Sequence, residues 1–248
     1  MDDPIIAVLI FIVAILYSSV GHGGASGYLA VLALFGFAPK EMAPGALVLN
    51  LLVAGTAFYS YRRAGYFSSR LFWPFAAASI PAAFLGGMLQ VPVRLYSWLL
   101  MGALLFAAIR LALAGIRRGE DDSLRSPRLS VALPVGAGIG LVSGIVGVGG
   151  GIFLSPIILL MRWADAKRTA AVSACFIWVN SAAGLYGHIA RHHFDVSGLG
   201  PLIFAAFLGG AIGANFGARR FGEMTLRRAL AGVLAVAAYK MFKVAMMS

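Results

Sequence analysis

Charge is what this chain has least of. Only 12% of its 248 residues are charged, whereas 60% are hydrophobic, and soluble domains carry about 25% charged residues. That composition excludes a soluble globular domain and points to an all-α polytopic membrane protein. Acids are scarcest, with nine Asp and Glu against twenty Lys and Arg. Asp2, Asp3, Glu41, Glu120, Asp121, Asp122, Asp165, Asp195 and Glu223 all fall in loops or at the ends of apolar segments. Cation pumps and proton-coupled antiporters usually keep a carboxylate inside the bundle to hold the cation or relay the proton. A chain without one suits an anionic substrate. The one cysteine, Cys175, can form no intramolecular disulfide and has no metal-ligand spacing around it. No basic stretch precedes the first apolar run, so the N-terminus reads as a first membrane segment and not as a cleaved signal peptide.

What is present is a series of ten apolar segments, at about 4–20, 25–37, 43–61, 71–90, 95–115, 129–146, 150–161, 170–190, 198–217 and 225–247. A net charge of +11 could suggest nucleic acid, but the basic residues follow the positive-inside pattern instead. With both termini outside and each segment crossing or dipping in turn, only Lys40, Arg94, Arg191, Lys240 and Lys243 fall outside or at the C-terminal end. The remaining Lys and Arg, including Arg62, Arg63, Arg70, Arg128, Lys167 and Arg168, are cytoplasmic. Merging 1–37 and 129–161 into single spans destroys that bias. The lipid bilayer is therefore the expected partner and the cell membrane the expected location, with no nucleic acid; a homo-oligomer is compatible with the sequence.

The chain also repeats itself. VGHGGA at 20–25 matches VGVGGG at 146–151, and AAFLGG at 82–87 recurs at 205–210. The reading is two repeats of five segments, 1–116 and 129–248, joined by a charged cytoplasmic linker at 117–128. An odd number of segments per repeat inverts the second copy in the membrane, the architecture of many secondary transporters.

The glycine strings carry the functional reading. Glycine inside a helix costs about 1 kcal/mol relative to alanine, so something must compensate. The helices that follow are too short to cross about 30 Å of hydrocarbon, so each is expected to begin in mid-membrane as a broken or re-entrant helix. Such a beginning offers free N–H groups and a positive dipole end, and glycine lets a ligand come close. Two facing beginnings, Gly21, His22, Gly23, Gly24, Ala25, Ser26 in one half and Gly147, Val148, Gly149, Gly150, Gly151 in the other, would make an anion site. A dinucleotide fingerprint is excluded because Ser26 and Ile152 replace its third glycine and no strand precedes either string. Gly86, Gly87, Gly209 and Gly210 read as packing residues.

Asn50 and Asn180 occupy equivalent helices of the two repeats, and each amide could donate to an oxyanion while staying neutral. Ser18, Ser19, Ser26, Ser143, Ser173 and Ser181 are the other polar residues expected near the cavity. His22 is the best-placed titratable group for proton coupling; the alternative is a histidine that satisfies a freed carbonyl. His188, His192, His193 and Asp195 cluster at a segment end beside Arg191, where a solvated interfacial group is expected before a metal site. No cofactor and no metal is expected.

The openings SVGHGGASG and SGIVGVGGGIFLSP resemble the sulfite exporter TauE/SafE family of membrane transporters. So do the stretches FAPKEMAPGALVLNLLVAG and WADAKRTAAVSACFIWVNSAAG and the AAFLGG repeats. The resemblance covers nearly the whole chain. It implies movement of small sulfur-containing anions, such as sulfite, sulfoacetate or other organosulfonates, across the cytoplasmic membrane. Two other classes stand beside it: a passive anion channel, and a membrane-embedded sulfur-transfer protein using Cys175. The sequence neighbours Ala174 and Phe176 give that thiol no basic partner.

Overall fold

Ten α-helices make up most of the residues described by the computed structural model, which are 4–19, 21–112, 127–191, 197–217 and 224–247. They are α1 (Pro4–Ser19), α2 (Ala25–Leu34), α3 (Pro39–Arg63), α4 (Ser69–Met88), α5 (Val93–Ala112), α6 (Leu129–Val146), α7 (Gly151–Leu160), α8 (Ala166–Arg191), α9 (Gly200–Gly217) and α10 (Met224–Met247). A short 3-10 turn, Ser197–Leu199, precedes α9, and the described residues contain no strand. Most of the expected linker, together with His192, His193 and Asp195, lies outside the described residues.

Helix ends follow local chemistry more closely than apolar runs do. The segment expected over 25–37 stops as a helix at Leu34 because Gly36 takes φ 82°. Its amide bonds Ala33 O at 3.1 Å and that of Phe37 bonds Leu32 O at 3.1 Å, the double closure of a Schellman motif. The segment expected over 43–61 starts earlier, at Pro39, which needs no amide partner at a helix start. Asp165 caps α8, its Oδ1 accepting from Arg168 N at 2.8 Å.

Among the described residues five helices are long and apolar enough to cross a membrane: α4, α6 and α8 in full, and Glu41–Arg63 and Val93–Arg110 within α3 and α5. Large apolar side chains face outward, as in Phe204 and Leu160, where lipid and not water would cover them. Prolines 44, 74, 81, 134 and 156 lie inside helices, which membrane bundles tolerate because neighbours satisfy the freed backbone groups.

The first five helices and the last five interlock. α1 packs on α9 and α6 on α4; α3 packs on α9 and α8 on α4; α5 packs on α10; α3 and α8 meet each other. Exchanging the halves leaves that set of contacts unchanged. Glycine makes the closest of them. Gly136, Gly140 and Gly144 lay α6 directly on the carbonyls of Phe75, Ser79 and Ala83, and Gly209 and Gly213 lay α9 on those of Phe11 and Ile15. A Cβ at any of these five positions would overlap the facing backbone, the close approach that small residues give membrane helices.

Candidate functional site

Each glycine string breaks a helix by turning the backbone left-handed. Gly21 takes φ 75°, and its amide and that of His22 close α1 on Ser18 O at 3.0 Å and Tyr17 O at 2.8 Å. Gly24, at φ 95°, stands before α2. In the second half Gly147 ends α6 at φ 87°, Gly149 takes φ 76°, and Gly150 stands before α7 at φ 81°. Other residue types pay about 1–2 kcal/mol for such a conformation. Neither α2 nor α7 has a side-chain cap from its own N-cap residue, so their first amides depend on partners from elsewhere. At ten residues each, these helices are about 15 Å long and cannot cross the hydrocarbon alone.

The strings are held by the opposite half. Gly21 sits on Ala170 of α8, and Gly147 on Ala43 of α3, with no room for a Cβ at either. Asn50 of α3 lies between them, fully buried. Its Oδ1 accepts from Ala25 N, the first amide of α2, at 3.2 Å. Its Nδ2 donates to Ser181 Oγ at 3.1 Å and reaches Val148 O of the second string at 3.5 Å. The orientation of the amide is fixed by chemistry, since Ala25 N can only donate and Val148 O can only accept. Gly23 and Gly149 pack so tightly on the two ends of this amide that a Cβ on either would overlap it.

His22 crosses in the other direction. Its Nε2 lies 3.0 Å from Ser155 Oγ in α7, and Ser155 also lies 2.8 Å from Gly151 O and 2.8 Å from Ser173 Oγ. A hydroxyl has one proton. It goes to one of Gly151 O, Ser173 Oγ and His22 Nε2, so which atom of the His22–Ser155 pair donates follows from the imidazole tautomer. Tyr17 and Ser26 pair their hydroxyls at 2.8 Å. The buried Tyr28 hydroxyl, which packs against Gly24, has no hydrogen-bond partner among the described residues.

Between the strings is a cavity of about 10 Å³, lined by Tyr17, His22, Gly23, Gly24, Ala25, Ser26, Val148, Ile152 and Ile177. That is room for about one water. The site is closed down on its own side chains, and the strings must part to admit anything larger.

Asn180 is not brought to this group. Its Oδ1 accepts from Ser79 Oγ at 2.6 Å and its Nδ2 donates to Phe176 O at 2.8 Å, tying α8 to α4. The offset that superposes the two strings sets Phe176, and not Asn180, opposite Asn50. Ser26, Ser173 and Ser181 join the site, whereas Ser18 and Ser19 bond back to Ile15 O and Leu16 O of their own helix, and the buried Ser143 hydroxyl has no partner among the described residues. His188 Nε2 lies 2.9 Å from Gly144 O in the last turn of α6. Among the described residues no group of three His, Cys, Asp or Glu could hold a metal ion. Cys175 is buried in an apolar cluster with Phe72, Phe75, Ile139 and Phe176. Tyr17, Ser155 and Ile177 were not anticipated. Ser155 had a signal, standing one helical turn after Gly151 within the quoted motif, whereas Tyr17 and Ile177 look like ordinary lipid or core residues in sequence.

Apolar helices broken in corresponding places, with the breaks meeting inside the bundle, define the class: a polytopic membrane transporter. The chain matches the family model described as sulfite exporter TauE/SafE along residues 6–241 and belongs to that family. It is 38% identical over 238 residues to the probable membrane transporter protein y4hK of Sinorhizobium fredii, covering 95% of this chain and 96% of that one. It is 24% identical over 223 residues to the probable membrane transporter protein YdhB of Bacillus subtilis, covering 86% and 89%. No solved structure matches it.

Proposed function

We propose that this transporter moves small sulfur-containing anions, of the size and charge of sulfite, sulfoacetate or another organosulfonate, across the cytoplasmic membrane by alternating access. The observation that carries the reading is the bond from Ala25 N to Asn50 Oδ1. The first amide of a broken helix is satisfied by a side-chain oxygen in a one-water cavity, the place where an oxyanion would take over that donor. The Tyr28 hydroxyl, buried and unpartnered beside Gly24, offers a second donor. The acids among the described residues, Glu41 and Asp165, stand at helix starts and do not line the cavity.

The repeats, 1–116 and 129–248, are inverted in the membrane, with both termini outside and the linker 117–128 in the cytoplasm. One rocks against the other around the strings. Gly21 to Ser26, Gly147 to Gly151 and Asn50 form the site, and His22 is its proton-coupling group. Asn180 contributes by holding α8 to α4. The decisive experiment is uptake of radiolabelled sulfite and sulfoacetate into proteoliposomes by the wild type and by Gly149→Leu. Saturable flux that the leucine abolishes supports the site; flux that never saturates indicates a channel, and no flux of either anion by folded protein removes the substrate class.

A further inference from the structure

The glycine contacts of α6 on α4 stop at Gly136. Gly136, Gly140 and Gly144 keep the two backbones in contact over about two turns. Toward the N-termini the row continues to the buried Ala132, while Pro74 and Pro134 stand just beyond the last glycine contact and Trp73 and Leu133 turn outward. The helices flank there an open groove of about 400 Å³, lined by Ser69, Arg70, Trp73, Pro74, Ala77, Leu129 and Leu133. That volume is in the range of small-molecule sites, about 300–1,000 Å³.

The chemistry of the groove changes along its length. From Ser69 to Ala77 it follows α4 for about 12 Å. Away from the helix N-termini it is lined by Pro74, Ala77 and Leu133, all apolar. At its mouth is the guanidinium of Arg70, in the first turn of a helix long enough to span the membrane. Arg70 is exposed and makes no hydrogen bond or ion pair among the described residues. Trp73, 57% exposed, stands one turn further in, where aromatic residues mark the boundary between headgroups and hydrocarbon. Arg62 and Arg63 end α3 and are joined to this end of α4 by a short turn, and Arg128 directly precedes α6. The end of the groove at the helix N-termini is therefore basic around Arg70, and the wall beyond it is apolar.

We propose that this groove is a binding site for an anionic phospholipid, its phosphate paired with Arg70 and one acyl chain lying along the wall between α4 and α6. A free phosphate would use the arginine and leave the apolar wall uncovered; a zwitterionic lipid would fill the wall and gain less at the mouth. The site is separate from the glycine strings, so it stands or falls independently of the transported substrate.

The test is binding of phosphatidylglycerol and phosphatidylcholine to detergent-purified protein, read by native mass spectrometry and by the thermal unfolding midpoint. Phosphatidylglycerol is expected to be retained preferentially and to raise the midpoint. Arg70→Gln should weaken its binding about five-fold, the factor one basic residue contributes at an anionic surface, and leave phosphatidylcholine unaffected. Ala77→Phe, which fills the groove from an exposed position, should reduce retention of both lipids. Equal retention of the two lipids by the wild type overturns the proposal, as does phosphatidylglycerol binding that neither substitution changes. Displacement of phosphatidylglycerol by soluble glycerol phosphate would also overturn it, by showing an anion site with no need of the acyl chain.

Discussion

Asn50 Oδ1 holds the amide of Ala25 at 3.2 Å, so a residue of α3 completes the start of α2. The same amide group reaches Ser181 and Val148 on the other side, making one neutral side chain the link between both helix breaks. Replacing it with a carboxylate separates its two functions. In Asn50→Asp an oxygen can still accept from Ala25 N, and more strongly, because a helix start favours negative charge. The donor to Ser181 and Val148 O is lost, and a tethered anion now occupies the site. Expected is folded protein whose saturable flux falls at least 100-fold, read in proteoliposomes. Flux close to wild type would mean that no anion passes this amide.

Glycine at the strings is required twice over, by conformation and by space. Gly149→Ala meets both penalties, φ 76° and overlap with Asn50 Nδ2; Gly23→Ala meets the overlap with Oδ1. Each is expected to lower stability by about 1–3 kcal/mol and to stop transport. Gly102 and Gly138 lie in helices with nothing within 4 Å of an added Cβ. There alanine should be neutral or stabilising, by up to about 1 kcal/mol. The thermal unfolding midpoints of the four variants, compared in one detergent, check the ranking.

The fold was largely legible because lipid leaves a chain few options. Every one of the ten apolar runs became a helix, and the two glycine strings became the breaks, since glycine runs beside apolar helices leave left-handed backbone as the natural use. The site was legible only in part. Asn50 could be singled out as a lone amide in an apolar helix, but Asn180 looks the same in sequence and is used to join α8 to α4. The offset that superposes the strings tells them apart: it sets Phe176 opposite Asn50 and leaves Asn180 one turn, about 6 Å, further along α8. Ser155 joins the site through His22, 133 residues away, and Tyr17 through Ser26 across the first break; of the two, Ser155 alone carries a local mark, one turn after Gly151.

Cys175 separates transport from thiol chemistry. Its side chain is packed among Phe72, Phe75 and Phe176, and a small apolar residue should serve there. Cys175→Ala is expected to cost about 1 kcal/mol or less in stability and to leave uptake unchanged. The wild-type thiol should resist maleimide labelling until the protein is denatured. Uptake lost in the alanine variant, with folding intact, would reopen sulfur transfer.

His22 is the remaining group whose charge can change at the strings, and its bond to Ser155 makes a clean substitution available. The protonated imidazole donates from Nε2 and the neutral one can donate or accept there, so a bond to the Ser155 hydroxyl is open to both states and the charge is what differs between them. Falling pH adds a positive charge beside the cavity and should strengthen anion binding; rising pH removes it. Gln at this position can donate to Ser155 at every pH and never gains the charge. With a sulfonate whose own charge is constant, the wild-type KM should therefore fall as pH is lowered, and the KM of His22→Gln should stay flat. His22→Leu loses the hydrogen bond as well and should show reduced flux at all pH values. A Gln variant with the wild-type pH profile would remove His22 from coupling and leave it as the residue that ties the first break to α7.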